Sequence, residues 1–238
     1  MTPYILGIET STTNCSVGLF RGNEVIHIKE VNSGYSHSEN LAPFVEDLLK
    51  ETEVKSSDLN ALAVGMGPGS YTGLRIGVSL VKGLAFGLNI PIIGLSSLQI
   101  MAAEVQSRII KVEDKDAFLS LLDARRMEVY ASAYNAELSE VLPPAAIVLE
   151  SDSFSTLVND YSRVFVFGPG AEKFVHQSDH SDSFVYVEEI FPSVKGMNEL
   201  AFSAFSNQRF LDTAYFEPFY LKDFIAGKPS RNLLSPDN

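Results

Sequence analysis

A glycine-rich segment, GMGPGSYTGLRIG at positions 65–77, has the residue types that often bind phosphate groups. It joins a predicted strand to a predicted helix, so free N–H groups at the helix start could hold an anion. Neither standard phosphate motif fits, because no lysine follows Gly73 and the third glycine of a dinucleotide motif comes one residue late. The alternative is that the glycines let the chain turn sharply with its backbone close to another segment. The candidates for anion contact in this segment are Gly67, Gly69, Ser70, Thr72 and Arg75.

A second group of polar residues follows the first predicted strand. Glu9 ends that strand, and four hydroxyl residues that include Ser11 come next, at positions 10–13. Hydroxyl groups and turn amides can face a phosphate or a metal-bound water. Because serine and threonine are also ordinary turn residues, a purely structural role is the alternative.

Histidine and cysteine provide weaker signals. His176 and His180 are four residues apart, a zinc-ligand spacing, but they lie in the polar stretch HQSDHSDS without the glutamate of an HExxH motif. This pattern favours a solvated loop, and we predict no metal site. Cys15 lies within an apolar strand, which favours a buried core residue over a nucleophile.

The helix after the glycine-rich segment contains four glycines, Gly73, Gly77, Gly83 and Gly87, at spacings of 4, 6 and 4. Each interior glycine costs a helix about 1 kcal/mol relative to alanine. Such a pattern is expected where another backbone must approach closely. The approaching surface is either the protein's own sheet or another chain, and the spacing does not choose between them.

Apolar periodicity places these residues in a repeated order of strands and helices. The first half predicts strands at 4–9, 15–20, 24–31, 59–66 and 91–95, with helices at 37–50, 72–87 and 97–109. The second half predicts strands at 117–123, 127–134, about 145–149, 163–167 and 184–188, with helices at 153–161, after Gly170 and at 194–208. Both halves read β-β-β-α-β-α-β-α, which predicts a two-lobed α/β fold. Ser36 and Glu39 fit a capping box at the start of the first helix.

Composition excludes several classes of protein. The 238 residues are 45% apolar and 20% charged, as in globular proteins, and a single cysteine allows no intrachain disulfide. A net charge of −12 argues against broad contact with nucleic acid, because phosphate neutralisation needs excess lysine and arginine. The start of the chain has no signal-peptide pattern, and no run of 18 apolar residues indicates a membrane span. We therefore expect a cytoplasmic protein without a membrane partner.

Several segments resemble the TsaB (YeaZ) family, within the actin/sugar-kinase/Hsp70 superfamily. They are ILGIETSTTNCSVGL (5–19), HSENLAPFVEDLL (37–49), AVGMGPGSYTGLRIGVSLVKGLA (63–85), PIIGLSSL (91–98) and, more weakly, LLDARRMEVYAS (121–132). The resemblance covers the first half almost completely and the second half only in outline. It implies a duplicated, two-lobed actin-like fold.

The resemblance also implies a non-catalytic subunit that supports threonylcarbamoylation of a tRNA adenosine next to the anticodon. The implied partners are a TsaD-like catalytic paralogue, a TsaE-like ATPase and a second copy of the chain, with tRNA contacted only indirectly. The first two helices would form the subunit interface, so Gly77→Leu is predicted to leave an intact monomer that no longer associates. The predicted interface residues are His37, Glu39, Leu41, Val45, Leu48, Gly73, Leu74, Gly77, Val78 and Val81.

Departures from the superfamily pattern bear on catalysis. The stretch GLSSLQIMA (94–102) has no histidine where the catalytic paralogue carries a metal motif. A second phosphate motif needs Asp followed by glycines, whereas Asp123 is followed by Ala124, Arg125 and Arg126. We expect no catalytic residues and no cofactor, with ATP or ADP contacted only within the complex. The alternatives are a stand-alone enzyme, either a small-molecule kinase or a glycoprotease-like metallopeptidase, and a homodimeric binding module.

The domain organisation follows from the same pattern. We expect a first lobe at 1–104 that carries the subunit interface. A second lobe is expected at 105–222, and its last helix can pack back on the first. A flexible tail is expected at 223–238.

Overall fold

The computed structural model describes residues 2–32, 34 and 37–222. The first half forms strands β1 (Tyr4–Glu9), β2 (Asn14–Arg21), β3 (Glu24–Asn32), β4 (Leu59–Gly65) and β5 (Ile92–Leu95), with helices α1 (His37–Glu51), α2 (Tyr71–Leu88) and α3 (Ser97–Arg108). The second half forms strands β6 (Asp116–Asp123), β7 (Glu128–Tyr134), β8 (Glu140–Val148), β9 (Arg163–Phe167) and β10 (Phe184–Val187), with helices α4 (Ser155–Asp160), α5 (Ala171–Gln177) and α6 (Asn198–Ser206).

Each half builds one five-stranded sheet, and the two sheets share one topology. The strand orders are β3-β2-β1-β4-β5 and β8-β7-β6-β9-β10. In each sheet the first three strands pair antiparallel and the last two join in parallel. The predicted two-lobed α/β fold with its duplicated strand and helix order is confirmed.

One helix from each half packs against the sheet of the other half. Helix α3 lies against the second sheet, in a cluster with Leu98 and Met101 on the helix and Phe118 and Phe165 on the strands. Helix α6 lies against the first sheet, where Ala201 packs with the buried residues of β1, β4 and β5. Each sheet therefore needs a helix from the other half to cover one of its faces.

Some predicted boundaries change. Strand β8 begins at Glu140, earlier than predicted, and runs through Pro143 and Pro144. Prolines are tolerated there because β8 is the edge strand of its sheet. The final predicted helix divides into a 3₁₀ turn at Val194–Gly196 and α6. Ser36, the predicted helix cap, and the predicted tail at 223–238 lie outside the described residues.

None of the helices in the described part of the chain is long and apolar enough to cross a membrane.

Candidate functional site

The glycine-rich segment turns from β4 into α2 and folds against the turn between β1 and β2. The Ser70 side chain caps α2 by accepting a hydrogen bond from the Gly73 amide at 3.3 Å. The Ser70 amide donates to the Ser11 carbonyl at 2.6 Å. A side chain at Gly69 would overlap the Ser11 backbone. Two amides that an anion would need are thus bound by the protein's own groups, and the segment serves as a close-packed turn.

Glu9 ties this turn to two neighbouring elements. Its carboxylate is fully buried and accepts hydrogen bonds from the Ser11 amide at 2.6 Å and the Ser97 hydroxyl at 3.0 Å. Burial raises the pKa of the Glu9 carboxyl, although these hydrogen bonds act in the opposite direction. Gly65 is needed beside it, because a side chain there would overlap the carboxylate. Both carboxylate oxygens of Glu9 are therefore bound by groups of the protein itself.

The predicted interface residues also require a correction. Apart from Glu39, which is exposed on α1, all of them are buried within the chain itself. His37 is 1% exposed and donates from Nε2 to the Thr12 carbonyl at 2.7 Å. Residues this deeply buried in the isolated chain expose almost no surface to a partner. The correction applies to His37, Leu41, Val45, Leu48, Gly73, Leu74, Gly77, Val78 and Val81.

Gly73 and Gly77, near the start of α2, allow this helix to pack closely against the β1–β2 turn. A side chain at Gly73 would overlap the Thr10 carbonyl oxygen, and one at Gly77 would overlap the Thr10 hydroxyl. That hydroxyl donates to the Gly73 carbonyl at 2.8 Å. The close approach predicted from the glycine spacing is therefore to the protein's own β1–β2 turn at these two positions.

The opposite side of α2 is open. Among the described residues, a side chain at Gly83 or Gly87 would meet no atom within 4 Å beyond its chain neighbours and its own helix backbone. Phe86 is 86% exposed between them, and Ile76 and Leu80 are partly exposed. The sequence analysis missed Phe86, although a buried stripe at 74, 78, 81 and 85 leaves position 86 outside the buried face of a helix. We call Ile76, Ser79, Leu80, Gly83, Phe86 and Gly87 the open face of α2.

A C-terminal segment, Leu211–Lys222, runs along one flank of α2. Arg75 donates from Nε to the Tyr220 hydroxyl at 3.3 Å, and its guanidinium lies 4.0 Å from the Tyr71 ring centroid. Lys82 donates to the Ala214 carbonyl at 3.2 Å. Both cations of α2 therefore hold this segment. Thr72 is exposed on the first turn of the helix.

The remaining candidate, Asp123, belongs to the second lobe, at the end of β6. It is exposed and forms an ion pair with Lys173 at 2.9 Å. The next residues, Arg125 and Arg126, have left-handed backbone conformations with φ of 71° and 48°. Such conformations cost a non-glycine residue about 1–2 kcal/mol each. The structure thus places Asp123 in a strained hairpin, apart from the packed turn formed by Glu9 and Ser11.

The two histidines with the zinc-ligand spacing lie in different elements. His176 lies in the last turn of α5, and His180 precedes a 3₁₀ turn. Within residues 2–32, 34 and 37–222, no three His, Cys, Asp or Glu side chains lie close enough together to hold a metal ion.

Comparison with known proteins finds relatives that match most of the chain. The family model described as "TsaD: tRNA N6-adenosine threonylcarbamoyltransferase" matches residues 31–161. The "tRNA threonylcarbamoyladenosine biosynthesis protein TsaB" of Escherichia coli K12 is 30% identical, with 94% of this chain and 96% of that protein covered. The protein of the same name from Haemophilus influenzae is 28% identical, with 94% and 95% covered.

Among solved structures, "YeaZ from Pseudomonas aeruginosa" is similar to this chain. It superposes with a TM-score of 0.79 at 28% identity and covers 92% of this chain and 100% of its own. Both the sequence and the fold of these relatives therefore match across both lobes. The chain belongs to the TsaB (YeaZ) family.

Proposed function

We propose that this chain is the non-catalytic subunit of the machinery that transfers a threonylcarbamoyl group to the tRNA adenosine beside the anticodon. In this role it binds and activates a TsaD-like catalytic paralogue in the cytoplasm. The observation that carries the proposal is the open face of α2. Phe86 is exposed on it, and Gly83 and Gly87 leave open space beside Phe86 among the described residues.

The shape of this face suits another helix. Gly83 and Gly87 lie one turn apart with no side chain to keep a partner backbone away. Phe86 projects beside them and supplies a large aromatic anchor of the kind that dominates protein interfaces. A partner helix can approach along the glycines while it covers Phe86, which removes apolar surface from water. A second copy of the chain presents the same combination, so this face also supports a homodimer when the paralogue is absent.

The hydrogen bonds of the glycine-rich turn favour a structural role for this segment over a catalytic one. Glu9 is buried and bound by Ser11 and Ser97, and the Ser70 amide is bound by Ser11. These groups hold three loops together, which is a structural task. In the proposed assembly, ATP or ADP is contacted only within the complex, a TsaE-like ATPase is a further partner, and tRNA is reached through the catalytic subunit.

Association with the paralogue tests this proposal. The full chain and the TsaD-like paralogue of the same organism are mixed, and the complex is followed by size-exclusion chromatography and titration calorimetry. We expect a complex with the wild-type chain and at least about tenfold weaker binding with Gly83→Leu, because the new side chain blocks helix approach. The control is Asn159→Leu, which adds the same side chain at an exposed position of α4.

Three results would contradict the proposal. Absence of a complex with the wild-type chain removes the scaffold role. Binding and turnover of ATP with Mg²⁺ by the isolated chain, measured by calorimetry and phosphate release, indicates a stand-alone enzyme. Equal binding by Gly83→Leu and wild type places the interface away from the open face of α2.

A further inference from the structure

The turn between β6 and β7 presents two arginines that the fold does not use. Arg125, Arg126 and Met127 are exposed at its end, and we call them the arginine tip. In the part of the chain that the structure describes, neither guanidinium forms an ion pair or a hydrogen bond. Both residues have left-handed backbone conformations, which glycine or asparagine adopts with less strain. Stability of the turn therefore does not account for arginine at these positions.

The base of the turn is held firmly. Lys173 on α5 donates to the Asp123 carboxylate at 2.9 Å and to the carbonyls of Arg126 and Glu128 at 3.0 and 2.5 Å. Backbone hydrogen bonds join Ala124 to Glu128 at 3.0 Å and Glu128 to Arg125 at 3.1 Å. The two arginines are therefore presented by a fixed backbone, which lowers the entropy cost of binding through them.

The charge around the arginine tip is positive on an acidic protein. The chain carries a net charge of −12, with 18 lysines and arginines against 30 carboxylates. The two carboxylates next to the tip are already paired, Asp123 with Lys173 and Glu128 with Lys222. The guanidinium charges of Arg125 and Arg126 are thus left for an outside partner, and their planar groups fit carboxylates in a bidentate manner.

We propose that the arginine tip is a docking site for an acidic surface of a second protein in the assembly. The inference rests on the proposed function, since it requires protein partners. Arginine and methionine are enriched at protein interfaces, and both are present at the tip. An RNA backbone fits less well, because the chain as a whole repels polyanions and the tip itself carries no aromatic side chain for base stacking. The open face of α2 lies on the other lobe, so one chain can engage both surfaces.

Two double variants test the tip with the full chain, the TsaD-like paralogue and the TsaE-like ATPase. Arg125→Glu/Arg126→Glu reverses the charge, whereas Arg125→Gly/Arg126→Gly removes it and relieves the backbone strain. Lys111→Glu/Lys115→Glu is the control, since it makes the same charge change at exposed positions between the lobes and also breaks the Lys111–Glu113 ion pair. Dissociation constants for each subunit and for the ternary complex are measured by titration, and melting temperatures are measured in parallel.

We expect both tip variants to weaken the binding of at least one protein subunit by about tenfold or more, with the control unchanged. The glycine variant should melt at or above the wild-type temperature, which a structural role for the arginines does not predict. Unchanged affinities for both subunits, or an unfolded glycine variant, overturn the inference. If the tip variants assemble normally with both subunits but no longer bind tRNA as isolated chains, the tip contacts RNA, and this result also overturns the inference. If the wild-type chain binds neither subunit, the proposed function itself fails, which is a different result.

Discussion

Gly73 and Gly77 in the first half of α2 press against the β1–β2 turn, whereas Gly83 and Gly87 in the second half face open space among the described residues. All four glycines lie in one helix, and the 4-residue spacing occurs in both pairs. The first pair stabilises the fold because it lets Thr10 reach the helix backbone. The second pair weakens the helix and leaves a surface that another helix can approach. Identical residues thus have opposite effects on stability, depending on what the tertiary structure places opposite them.

The strongest test of this contrast is Gly77→Leu. The structure reverses the prediction made from sequence, because the new side chain would collide with Thr10 in the core. We expect the free energy of unfolding to fall by at least about 3 kcal/mol, measured by urea denaturation. The control Gly83→Leu, at an open position of the same helix, should remain folded. A Gly77→Leu protein as stable as wild type would mean that the two halves of α2 do not differ.

The substitution Glu9→Gln tests the β1–β2 turn, against which Gly73 and Gly77 pack. Burial raises the pKa of the Glu9 carboxyl above the unfolded value of 4.5, so the folded state favours the protonated form. The stability from this group is fully present below the unfolded pKa and is lost as pH rises through the higher folded pKa. The glutamine variant has no such loss.

We therefore expect the stability of the Glu9→Gln variant to improve relative to wild type as the pH rises above the unfolded pKa of 4.5. Urea denaturation at several pH values measures this difference. A difference that does not change with pH would show that Glu9 keeps an ordinary pKa in the fold.

A smaller effect is expected for Thr10→Val, which keeps the shape of the side chain at the buried end of α2. It removes the hydrogen bond from the Thr10 hydroxyl to the Gly73 carbonyl at 2.8 Å. The free energy of unfolding should fall by about 1 kcal/mol, as measured by urea denaturation. Thr13→Val, at a partly exposed hydroxyl of the same turn, is the control. An equal loss in both variants would locate the effect in the turn and not in its contact with α2.

The smallest effect, and the opposite sign, is expected for Gly83→Ala. A methyl group at this open position meets no neighbour among the described residues, and alanine favours the helix. The free energy of unfolding should rise by about 0.5–1 kcal/mol. Destabilisation by this substitution would indicate that the open face of α2 is covered by another part of the same chain.

The order of the elements was predictable because apolar periodicity reflects local backbone geometry. Strand β1 at 4–9 and strand β9 at 163–167 begin and end at the predicted residues. Strand β8 was predicted too short, because Pro143 and Pro144 are acceptable only at an edge, and edge position is a property of the sheet. The exchange of α3 and α6 between the sheets also depends on contacts between distant segments.

The candidate site was less predictable for the same reason. The sequence placed Glu9 at the end of a strand, where a carboxylate can face either solvent or the interior. Burial within the sheet edge decided this, since Ser11, Gly65 and Ser97 enclose it from three segments. In the sequence, the arginine tip was noticeable only because large side chains stand where a phosphate motif has glycines. The strained backbone of the two arginines became apparent only in the three-dimensional structure.

By itself, the sequence determined the duplicated α/β order, the helical stripe of α2 and the family of this chain, because these depend on local spacing and on residue identity. Only the tertiary structure decided which side of α2 is free. That choice depends on the β1–β2 turn, about sixty residues earlier in the chain, and on a fit between Thr10 and two glycines that no local pattern encodes.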